Sequence, residues 1–411
     1  MQEKTLLIIG KVWPEPNSSA AGRRMMQLIE LFQTNGYTIH FASTSGFTGN
    51  EVDLSKWKVQ THSIKLNDDT FDDFLKNLTP DVVLYDRFMS EEQFGWRVRR
   101  MLPQALTILD SEDLHFLRKG RQEGVKQRGT FDASDYYNDT TKRELASILR
   151  TDLTLVISKF ELDLLINTFQ VNSAKLCYLP IVEQKAQKII PYEERTDAVF
   201  IGNFMHEPNW DAVLQLKKIW KGWENKPKDL HLKIFGAYPP QKAYQLNSER
   251  EQFHVVGKAV SSAEVIGNAK LLLAPLRFGA GLKGKLLEAM SLGTPSITTS
   301  VGAEGIAAGE LWGGVVDDEF ENWPKHVSSL FEDEKRWRSA QLKGFKNLEQ
   351  LCDPELLEHF MDRVVQVQKE LKPHRHTNYL GEVLHHHTLK STEYMSRWIE
   401  EKNKNPDSTS K

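Results

Sequence analysis

The sequence predicts an α/β fold in which two doubly wound, parallel-sheet domains follow one another, and three observations lead to this prediction. The chain has 411 residues, which is too long for one ordinary hydrophobic core. Short apolar strands alternate with polar turns and helices, a pattern typical of parallel sheets that helices cover on both faces. The alternation stops at a charged, non-periodic stretch, residues 183–196, and then starts again. We therefore expect a linker there, with one domain on each side.

The first domain is predicted to occupy residues 1–185. Its first strand covers residues 5–10, and a loop rich in proline and small residues follows it. A helix is expected at about residues 21–34, because apolar side chains recur near the helical period and Gly36 can end the helix. Later strands are expected at residues 37–42, 82–86, 106–110, 153–158 and 175–180.

The second domain is predicted to occupy residues 197–345, and residues 346–411 are expected to form C-terminal helices and a polar tail. One of these helices, at about residues 354–371, has an apolar face. Open sheets of this Rossmann-like kind bind ligands beyond the carboxyl ends of their strands, so two facing domains predict a cleft for a nucleotide-like ligand. The strands of the second domain are expected at residues 198–202, 230–236, 253–257, 270–274, 296–299 and 314–316.

The composition argues against several classes of protein. The chain has 53 Lys and Arg against 56 Asp and Glu, and this formal net charge of -3 argues against a general nucleic-acid binder. With only two cysteines, Cys177 and Cys352, we expect no disulfide framework and a reducing, cytoplasmic location. The first residues show no secretory signal, and no apolar run approaches the ~20 residues of a membrane-spanning helix. A peripheral contact with a membrane is compatible with the sequence.

A strand–loop–helix–strand unit at residues 270–299 has the strongest functional pattern. Gly279 and Gly281 in its loop let a ligand approach the backbone closely. The helix that follows is expected at about residues 282–292, with Gly293 at its end. Its amino-terminal end presents free N–H groups and the positive end of the helix dipole, which together favour an anion.

Three cations surround that helix end, namely Arg277, Lys283 and Lys285. The dipole normally favours acids there, so cations at this end lower the stability of the helix unless an anion binds them. A bound diphosphate explains the pattern. The alternative is that the lysines are solvated on an exposed first turn and that the glycines only turn the chain.

The string from Gly279 to Gly293, with Pro295 and the Gly-Ala-Glu-Gly of residues 302–305, resembles the donor-binding region of glycosyltransferase family 4. These are the retaining glycosyl transferases of group 1, which have the GT-B fold, and the resemblance covers nearly all of residues 5–370. It implies an enzyme that moves a sugar from a nucleoside diphosphate sugar to an acceptor hydroxyl with retention of configuration. It also implies catalysis without a metal or a resident cofactor, and an acceptor that is a glycan, a lipid-linked molecule or a protein.

The resemblance also assigns roles to individual residues. A glutamate before an Ala-Met pair contacts the donor ribose in that family, which assigns this role to Glu288. The preceding loop contacts the diphosphate or the sugar, which implicates Gly281, Leu282 and Lys283. Further donor contacts are expected from Gly22, Gly202, Asn203, Arg277, Lys285 and Gly305.

The chain departs from the family pattern at three positions. Ala280 stands where many members have a glutamate that contacts the transferred sugar, so the resemblance does not identify the sugar. Asn203 and Pro208 stand where members commonly have an arginine and a lysine on the diphosphate. We therefore expect one of the three cations around the helix end to neutralise the diphosphate instead.

Asp110 and His115, which follow a predicted strand, are the candidates for catalytic groups near the reacting sugar. With Glu112 and Asp113 they form an acidic cluster that contains one histidine. A metal site is conceivable there but has only one nitrogen ligand, and helix capping by the aspartates is an equally good explanation. No metal ligands are therefore assigned. The sequence contains no identifiable carboxylate pair of the kind that retaining glycoside hydrolases use.

Three further segments have weaker patterns. Small residues at positions 18–22 allow close approach of a diphosphate or sugar to the first loop, although a plain connector would look similar. Asp86 and Arg87 end a strand and are candidates for acceptor recognition. The histidines at 385–387 are predicted to form a solvated tract, because three adjacent side chains on a helix cannot all face one ion.

Other functions stay open from the sequence alone. A sugar-nucleotide epimerase or hydrolase would share the two facing domains and would need no acceptor. A non-catalytic sugar-nucleotide-binding protein would account for the missing glutamate and the missing arginine–lysine pair. A dinucleotide dehydrogenase is disfavoured, because Gly10 is followed by Lys-Val-Trp-Pro and not by a Gly-x-Gly-x-x-Gly fingerprint.

Overall fold

The computed structural model of the protein describes residues 4–306 and 312–404, and it contains two parallel sheets, each at the centre of one domain. The first sheet consists of β1 (Lys4–Gly10), β2 (Tyr37–Ser43), β3 (Gln60–Ser63), β4 (Val82–Asp86), β5 (Leu106–Asp110), β6 (Leu153–Val156) and β7 (Leu176–Tyr178). The second consists of β8 (Thr196–Ile201), β9 (Leu232–Phe235), β10 (Phe253–Gly257), β11 (Ala269–Ala274), β12 (Ser296–Thr298) and β13 (Gly314–Val316). The strand orders are β3-β2-β1-β4-β5-β6-β7 and β10-β9-β8-β11-β12-β13. The predicted fold class is confirmed.

Helices follow the strands in both domains. Those of the first domain are α1 (Ala20–Thr34), α2 (Thr70–Leu78), α3 (Arg87–Met101), α4 (His115–Arg128), α5 (Asp139–Arg150) and α6 (Lys159–Asp163). Those of the second are α7 (Glu207–Gly222), α8 (Gln241–Tyr244), α9 (Ser262–Asn268), α10 (Gly284–Ser291), α11 (Ser300–Ala303) and α12 (Trp323–Glu332). The last four are α13 (Glu334–Leu351), α14 (Glu355–Lys369), α15 (Leu371–Thr377) and α16 (Tyr379–Lys404).

The first sheet is covered on both faces, which explains its continuous apolar strands. Along β1, Leu6 and Ile8 pack into one hydrophobic core, whereas Leu7 and Ile9 pack into another. Successive side chains of a strand point to opposite faces, so a strand between two cores must be apolar at every position. The strand β4 is likewise buried along its whole length.

Two local predictions differ from the structure. The strand β3 was not expected, because its sequence Gln-Thr-His-Ser has no apolar signal; it pairs with β2 at the edge of the sheet. The helix α10 begins at Gly284 and not near residue 282, because Lys283 has a backbone ψ of 89° and lies just before the first helical turn.

The C-terminal helices connect the two domains. Trp337 of α13 packs into the core of the second domain, whereas Phe360 and Val364 of α14 return to the core of the first domain. The helix α16 then crosses α3 and α5, and residues 405–411 of the predicted polar tail lie outside the described residues. In the part of the chain that the structure describes, no helix is long and apolar enough to cross a membrane.

Candidate functional site

A cavity of about 830 Å³ opens where the carboxyl ends of the two sheets face each other. This volume lies in the upper part of the range of about 300–1,000 Å³ that small-molecule sites occupy. One wall consists of the first loop, residues 11–23, and of the turns after β4 and β5. The other wall consists of the loop after β8 and the amino-terminal end of α10. The predicted cleft between the two domains therefore exists.

The amino-terminal end of α10 lies directly against the first loop of the opposite domain. A Cβ atom on Gly284 would come within 2.6 Å of the Cβ of Ala20, so a larger residue would push the two walls apart. Leu282 lines the cavity just before the helix. Gly22 also lines the cavity, and a Cβ there would lie 2.4 Å from the backbone of Glu15. Small residues therefore bring both walls close to any ligand between them.

Both lysines predicted at this helix end line the cavity. Lys283 is buried, its Nζ donates a hydrogen bond to the carbonyl of Gly281 at 2.8 Å, and burial lowers its pKa to about 8. The Nζ of Lys285 donates to the Oδ1 of Asn209 at 2.7 Å and lies 4.1 Å from the ring centre of Phe200. Burial lowers the pKa of Lys285 to about 7. An anion in the cavity would restore the charge on both ammonium groups.

Glu288 lies on α10 and also lines the cavity. The hydroxyl of Ser262 donates to its Oε1 at 2.5 Å, and the guanidinium of Arg23 lies 3.4 Å from its Oε2. These two contacts hold the carboxylate at the cavity wall.

The loop after β8 supplies two more of the predicted residues, Gly202 and Asn203, and both line the cavity. A Cβ on Gly202 would lie 2.7 Å from the Nζ of Lys285, so this glycine leaves room for the ammonium group. The Oδ1 of Asn203 accepts a hydrogen bond from the backbone N–H of Met205 at 2.8 Å and shapes the turn.

Three predicted donor residues lie outside the cavity wall. Arg277 forms a two-pronged ion pair with Asp211 at 2.5 and 2.9 Å, which engages its guanidinium away from the cavity.

Gly281 has a φ of +61°, and a Cβ there would lie 2.8 Å from the Cβ of Asp113. Gly305 has a φ of +76°, and a Cβ there would lie 2.4 Å from the Oγ of Ser158. The two glycines thus allow close contact between the domains. Arg277, Gly281 and Gly305 are therefore not placed to contact a ligand in the cavity.

Asp110 was expected to contact the reacting sugar, and its position corrects that expectation. It is fully buried and does not line the cavity. Both of its oxygens accept hydrogen bonds from the guanidinium of Arg24 at 2.8–3.0 Å. Arg24 also donates to the carbonyl of Leu179 at 2.7 Å. Asp110 is therefore a positioning residue that joins α1 to the end of the first sheet.

His115 does line the cavity, at the start of α4. Its Nε2 lies 3.3 Å from the Oδ1 of Asp113, and its ring packs edge-on against Phe88 at 5.4 Å. Burial lowers the pKa of His115 to about 3, so the imidazole is neutral at physiological pH. Asp113 is in turn bound by Arg118 at 2.5 Å.

The turns after β4 and β5 each contain a non-glycine residue with a positive φ angle. Arg87 has a φ of 67° and Glu112 a φ of 61°, a region that non-glycine residues rarely adopt. Both side chains line the cavity, and the Oε1 of Glu112 is buried without a hydrogen-bond partner. Burial raises the pKa of Glu112 to about 8, so the carboxyl group holds a proton near neutral pH. These turns aim their side chains at the cavity at a cost in backbone strain.

The structure adds three residues that the sequence did not single out. His206 precedes α7 and lines the cavity, and burial lowers its pKa. Arg121 is buried and donates to the carbonyl of Gly279 at 2.9 Å. The Oε1 of Glu161 accepts a hydrogen bond from the N–H of Gly281 at 2.8 Å. Arg121 and Glu161 escaped notice because their partners lie more than a hundred positions away in the chain.

Metal ligation has little geometric support in the described residues, where no three His, Cys, Asp or Glu side chains converge on a common point. The prediction of a solvated histidine tract is wrong for His385, which is buried and whose Nε2 lies 2.8 Å from the carbonyl of Arg150. The side chain of His387 lies outside the described residues.

Comparison with known proteins finds a similarity in the second domain. Residues 195–333 match the family model described as Glycosyl transferases group 1. Among curated proteins, none matches the sequence.

Solved structures match the whole fold. Sucrose-phosphate synthase (tll1590) from Thermosynechococcus elongatus superposes with a TM-score of 0.66 at 13% identity, over 90% of this chain and 100% of that chain. A glycosyltransferase from Rickettsia africae ESF-5 gives a TM-score of 0.63 at 10% identity, over 90% and 100%. Anabaena Alr3699/HepE in complex with UDP-glucose gives 0.64 at 8% identity, over 88% and 99%. At these identities the similarity establishes the fold, which is GT-B.

Proposed function

We propose that this chain, which has the GT-B fold and whose residues 195–333 match the model of the group 1 glycosyl transferases, transfers a sugar from a nucleoside diphosphate sugar to an acceptor hydroxyl with retention of configuration. The observation that carries the proposal is the convergence of Lys283, Lys285 and Glu288 on one cavity at the amino-terminal end of α10. The two ammonium groups and the helix end suit a diphosphate. The carboxylate suits the two hydroxyl groups of a ribose.

The position of Lys285 supports this arrangement. Its Nζ lies beside Gly202 and Asn209, in the segment from the end of β8 to the start of α7 where Asn203 and Pro208 replace the family's usual arginine and lysine. An ammonium group from α10 thus reaches the place that those two cations would occupy. In the proposed complex Lys285 and Lys283 neutralise the diphosphate, whereas Arg277 stays paired with Asp211.

The proposed chemistry requires stabilisation of the nucleoside diphosphate as it leaves with increasing negative charge. Preorganised N–H groups, the dipole of α10 and the two lysines can supply this stabilisation. The neutral imidazole of His115 faces the cavity from the other wall, near the reacting sugar in the proposed complex. Retention, and independence of metal ions and of a resident cofactor, rest on the family resemblance.

The identity of the donor is the first question for experiment. The Anabaena protein was crystallised with UDP-glucose, which makes uridine nucleotides the first candidates here. Guanosine, adenosine and thymidine diphosphate sugars complete the set. A thermal-shift panel detects binding, because a ligand at 100 times its Kd stabilises a protein by about 2.7 kcal/mol.

We expect at least one nucleoside diphosphate sugar to stabilise the protein and Lys283→Glu to abolish that shift. Lys142→Glu is the matched control, since Lys142 is an exposed lysine paired with Asp139 and should leave the shift unchanged. Product analysis with and without acceptors then separates transfer from epimerisation or hydrolysis, which need the donor alone. Binding without turnover on any acceptor would favour a non-catalytic protein. Failure of every nucleotide to stabilise the chain would overturn the proposal.

A further inference from the structure

Glu112 is a buried acid in the cavity wall, and one of its carboxyl oxygens has no protein partner. The residue lies after β5, it is 7% exposed, and its Oε1 is buried without a hydrogen bond. Three neighbouring acids of the first domain are held by protein donors, namely Asp110 by Arg24, Asp113 by Arg118, and Asp86 by the backbone N–H of Lys11. A buried polar atom without a partner is unfavourable, so a ligand that supplies the missing donor gains affinity there.

The backbone conformation of Glu112 also indicates a ligand site. Its φ of 61° lies in the left-handed region, which a non-glycine residue adopts only at a cost in free energy. Strain of this kind persists where the surrounding structure fixes it, and it is concentrated at sites that bind ligands. The strain and the unpartnered oxygen occur in the same residue, which lines the cavity.

The carboxyl group of Glu112 is suited to a neutral polar ligand. Burial is the largest cause that raises its pKa to about 8. The charges of Asp110 and Asp86 raise the pKa further, whereas those of Arg87 and Arg24 lower it. The group therefore holds a proton near pH 7. A protonated carboxyl group both donates and accepts hydrogen bonds, as a sugar hydroxyl group does.

The position of Glu112 relative to α10 indicates which part of a donor lies beside it. In the proposed complex the diphosphate lies at the start of α10 and the ribose at Glu288, about 6 Å further along the helix at 1.5 Å per residue. The sugar then continues from the diphosphate on the side away from the ribose. Gly281 lies on that side, because its carbonyl accepts a hydrogen bond from the Nζ of Lys283 at 2.8 Å. A Cβ on Gly281 would lie 3.4 Å from the carbonyl oxygen of Glu112.

The second domain presents apolar side chains at this end of the cavity. The lining residues of the loop before Lys283 are Leu276, Phe278, Gly279, Ala280 and Leu282, none of which has a polar side chain. Side-chain hydrogen bonds to the hydroxyl groups of a sugar at this end are therefore expected from the first domain, where Glu112 lies.

We propose that Glu112 binds a hydroxyl group of the transferred sugar and thereby helps to select the donor sugar. This inference rests on the proposed function, because it takes the ligand to be a nucleoside diphosphate sugar that lies along the start of α10. The selected sugars carry a free hydroxyl group opposite Glu112. A donor without that group leaves the buried carboxyl group unpartnered and binds more weakly.

The experiment compares each nucleoside diphosphate with its sugar nucleotide, beginning with UDP and UDP-glucose and continuing with the guanosine, adenosine and thymidine pairs. Calorimetry without an acceptor measures both Kd values, and their ratio isolates the contribution of the sugar. Glu112→Asn tolerates a positive φ but has a shorter side chain, so the ratio should shift about 3- to 10-fold against the sugar nucleotide while the Kd of the nucleoside diphosphate stays unchanged. Glu112→Gln is the matched control, because it keeps the length, a donor and an acceptor, and it should keep the wild-type ratio.

Donors that each lack one hydroxyl group of the sugar identify the contact. We expect one of them to bind the wild type about 3- to 10-fold more weakly than the complete donor does, and to bind Glu112→Asn no more weakly, because both changes remove the same hydrogen bond. A wild-type ratio in Glu112→Asn, an equal weakening of the nucleoside diphosphate and the sugar nucleotide, or a change in the acceptor KM alone would overturn the inference and leave the proposed function standing. Failure of the wild type to bind any nucleotide would overturn both.

Discussion

At the scale of single residues, the two cavity lysines are notable because neither forms an ion pair within 4.0 Å in the described part of the chain. Lys283 bonds to a backbone carbonyl and Lys285 to a side-chain amide. Burying an ammonium group without a carboxylate is unfavourable, and it explains the lowered pKa values of both residues. An anionic ligand that bound beside these two lysines would stabilise their charged forms.

This environment predicts that donor affinity depends on pH. In the free protein the pKa of Lys285 is about 7 and that of Lys283 about 8. A bound diphosphate raises both values, so binding takes up protons, and affinity should fall as the pH rises above about 7. Each lysine contributes a loss of at most about tenfold per pH unit. Calorimetry at several pH values, in buffers of different ionisation enthalpy, measures both the affinity and the proton uptake.

The control for this prediction is Lys285→Arg, because a guanidinium stays protonated and should remove part of the pH dependence. Asn209→Ala, which removes only the amide contact of Lys285, should leave the direction of the dependence unchanged. A donor affinity of the wild type that is the same on both sides of neutrality would contradict the assignment of the two lysines.

At the scale of elements, the loop before α10 is held by the opposite domain. Glu161 lies just after β6, and its Oε1 accepts hydrogen bonds from the N–H groups of Gly281 and Leu114 at 2.8 and 3.0 Å. Burial raises the pKa of Glu161 from 4.5 to about 7. Glu161 thus supports the loop before α10, although its carboxyl group is costly to ionise there.

The raised pKa of Glu161 predicts how the stability of the protein changes with pH. The stability that Glu161 contributes is present below the unfolded pKa of about 4.5 and is lost as the pH rises towards about 7. Glu161→Gln keeps an oxygen for the N–H groups and cannot ionise, so its free energy of unfolding should rise relative to wild type across this interval. Denaturant titrations at several pH values measure the difference. Glu123→Gln, an exposed substitution, should follow wild type, and an equal effect in both variants would refute the assignment.

At the scale of the whole molecule, the two domains are joined by a buried arginine. Arg121 forms a two-pronged ion pair with Glu304 at 2.7 and 2.8 Å and packs its guanidinium over the ring of Phe131. It also donates to the carbonyl of Gly279 in the loop before α10. One side chain of α4 therefore fixes two segments of the second domain.

Arg121→Gln should lower the free energy of unfolding by about 1–3 kcal/mol, because it leaves the partly buried carboxylate of Glu304 and the carbonyl of Gly279 without their donor. Chemical denaturation of the full chain measures the loss. Arg143→Gln is the matched control: its ion pair with Glu92 lies at the surface, where such pairs contribute about 0–1 kcal/mol. Similar losses in the two variants would show that the contact between the domains is weak.

The limits of sequence reasoning are clearest at the cavity between the two domains. The helix, its glycines and its three cations were all visible in one stretch of sequence, because strand–loop–helix units leave a local period. The sequence did not show which of these three cations faces the cavity. Arg277 is instead paired with Asp211, a partner 66 positions away. In the same way Asp110 is buried and bound by Arg24, a partner 86 positions away in the chain.

The sequence by itself determined the two parallel sheets and the loop and helix around residues 279–292, because apolar periodicity and glycine placement act over a few residues. The tertiary structure decided which side chains meet. It brought Lys283, Lys285 and Glu288 to one cavity and placed Gly281 and Gly305 at the contact between the domains. It also attached α16 to α3, where Glu382 and Glu400 pair with Arg99 and Arg97. Pairings between distant segments depend on the packing of the whole chain, and no local pattern encodes them.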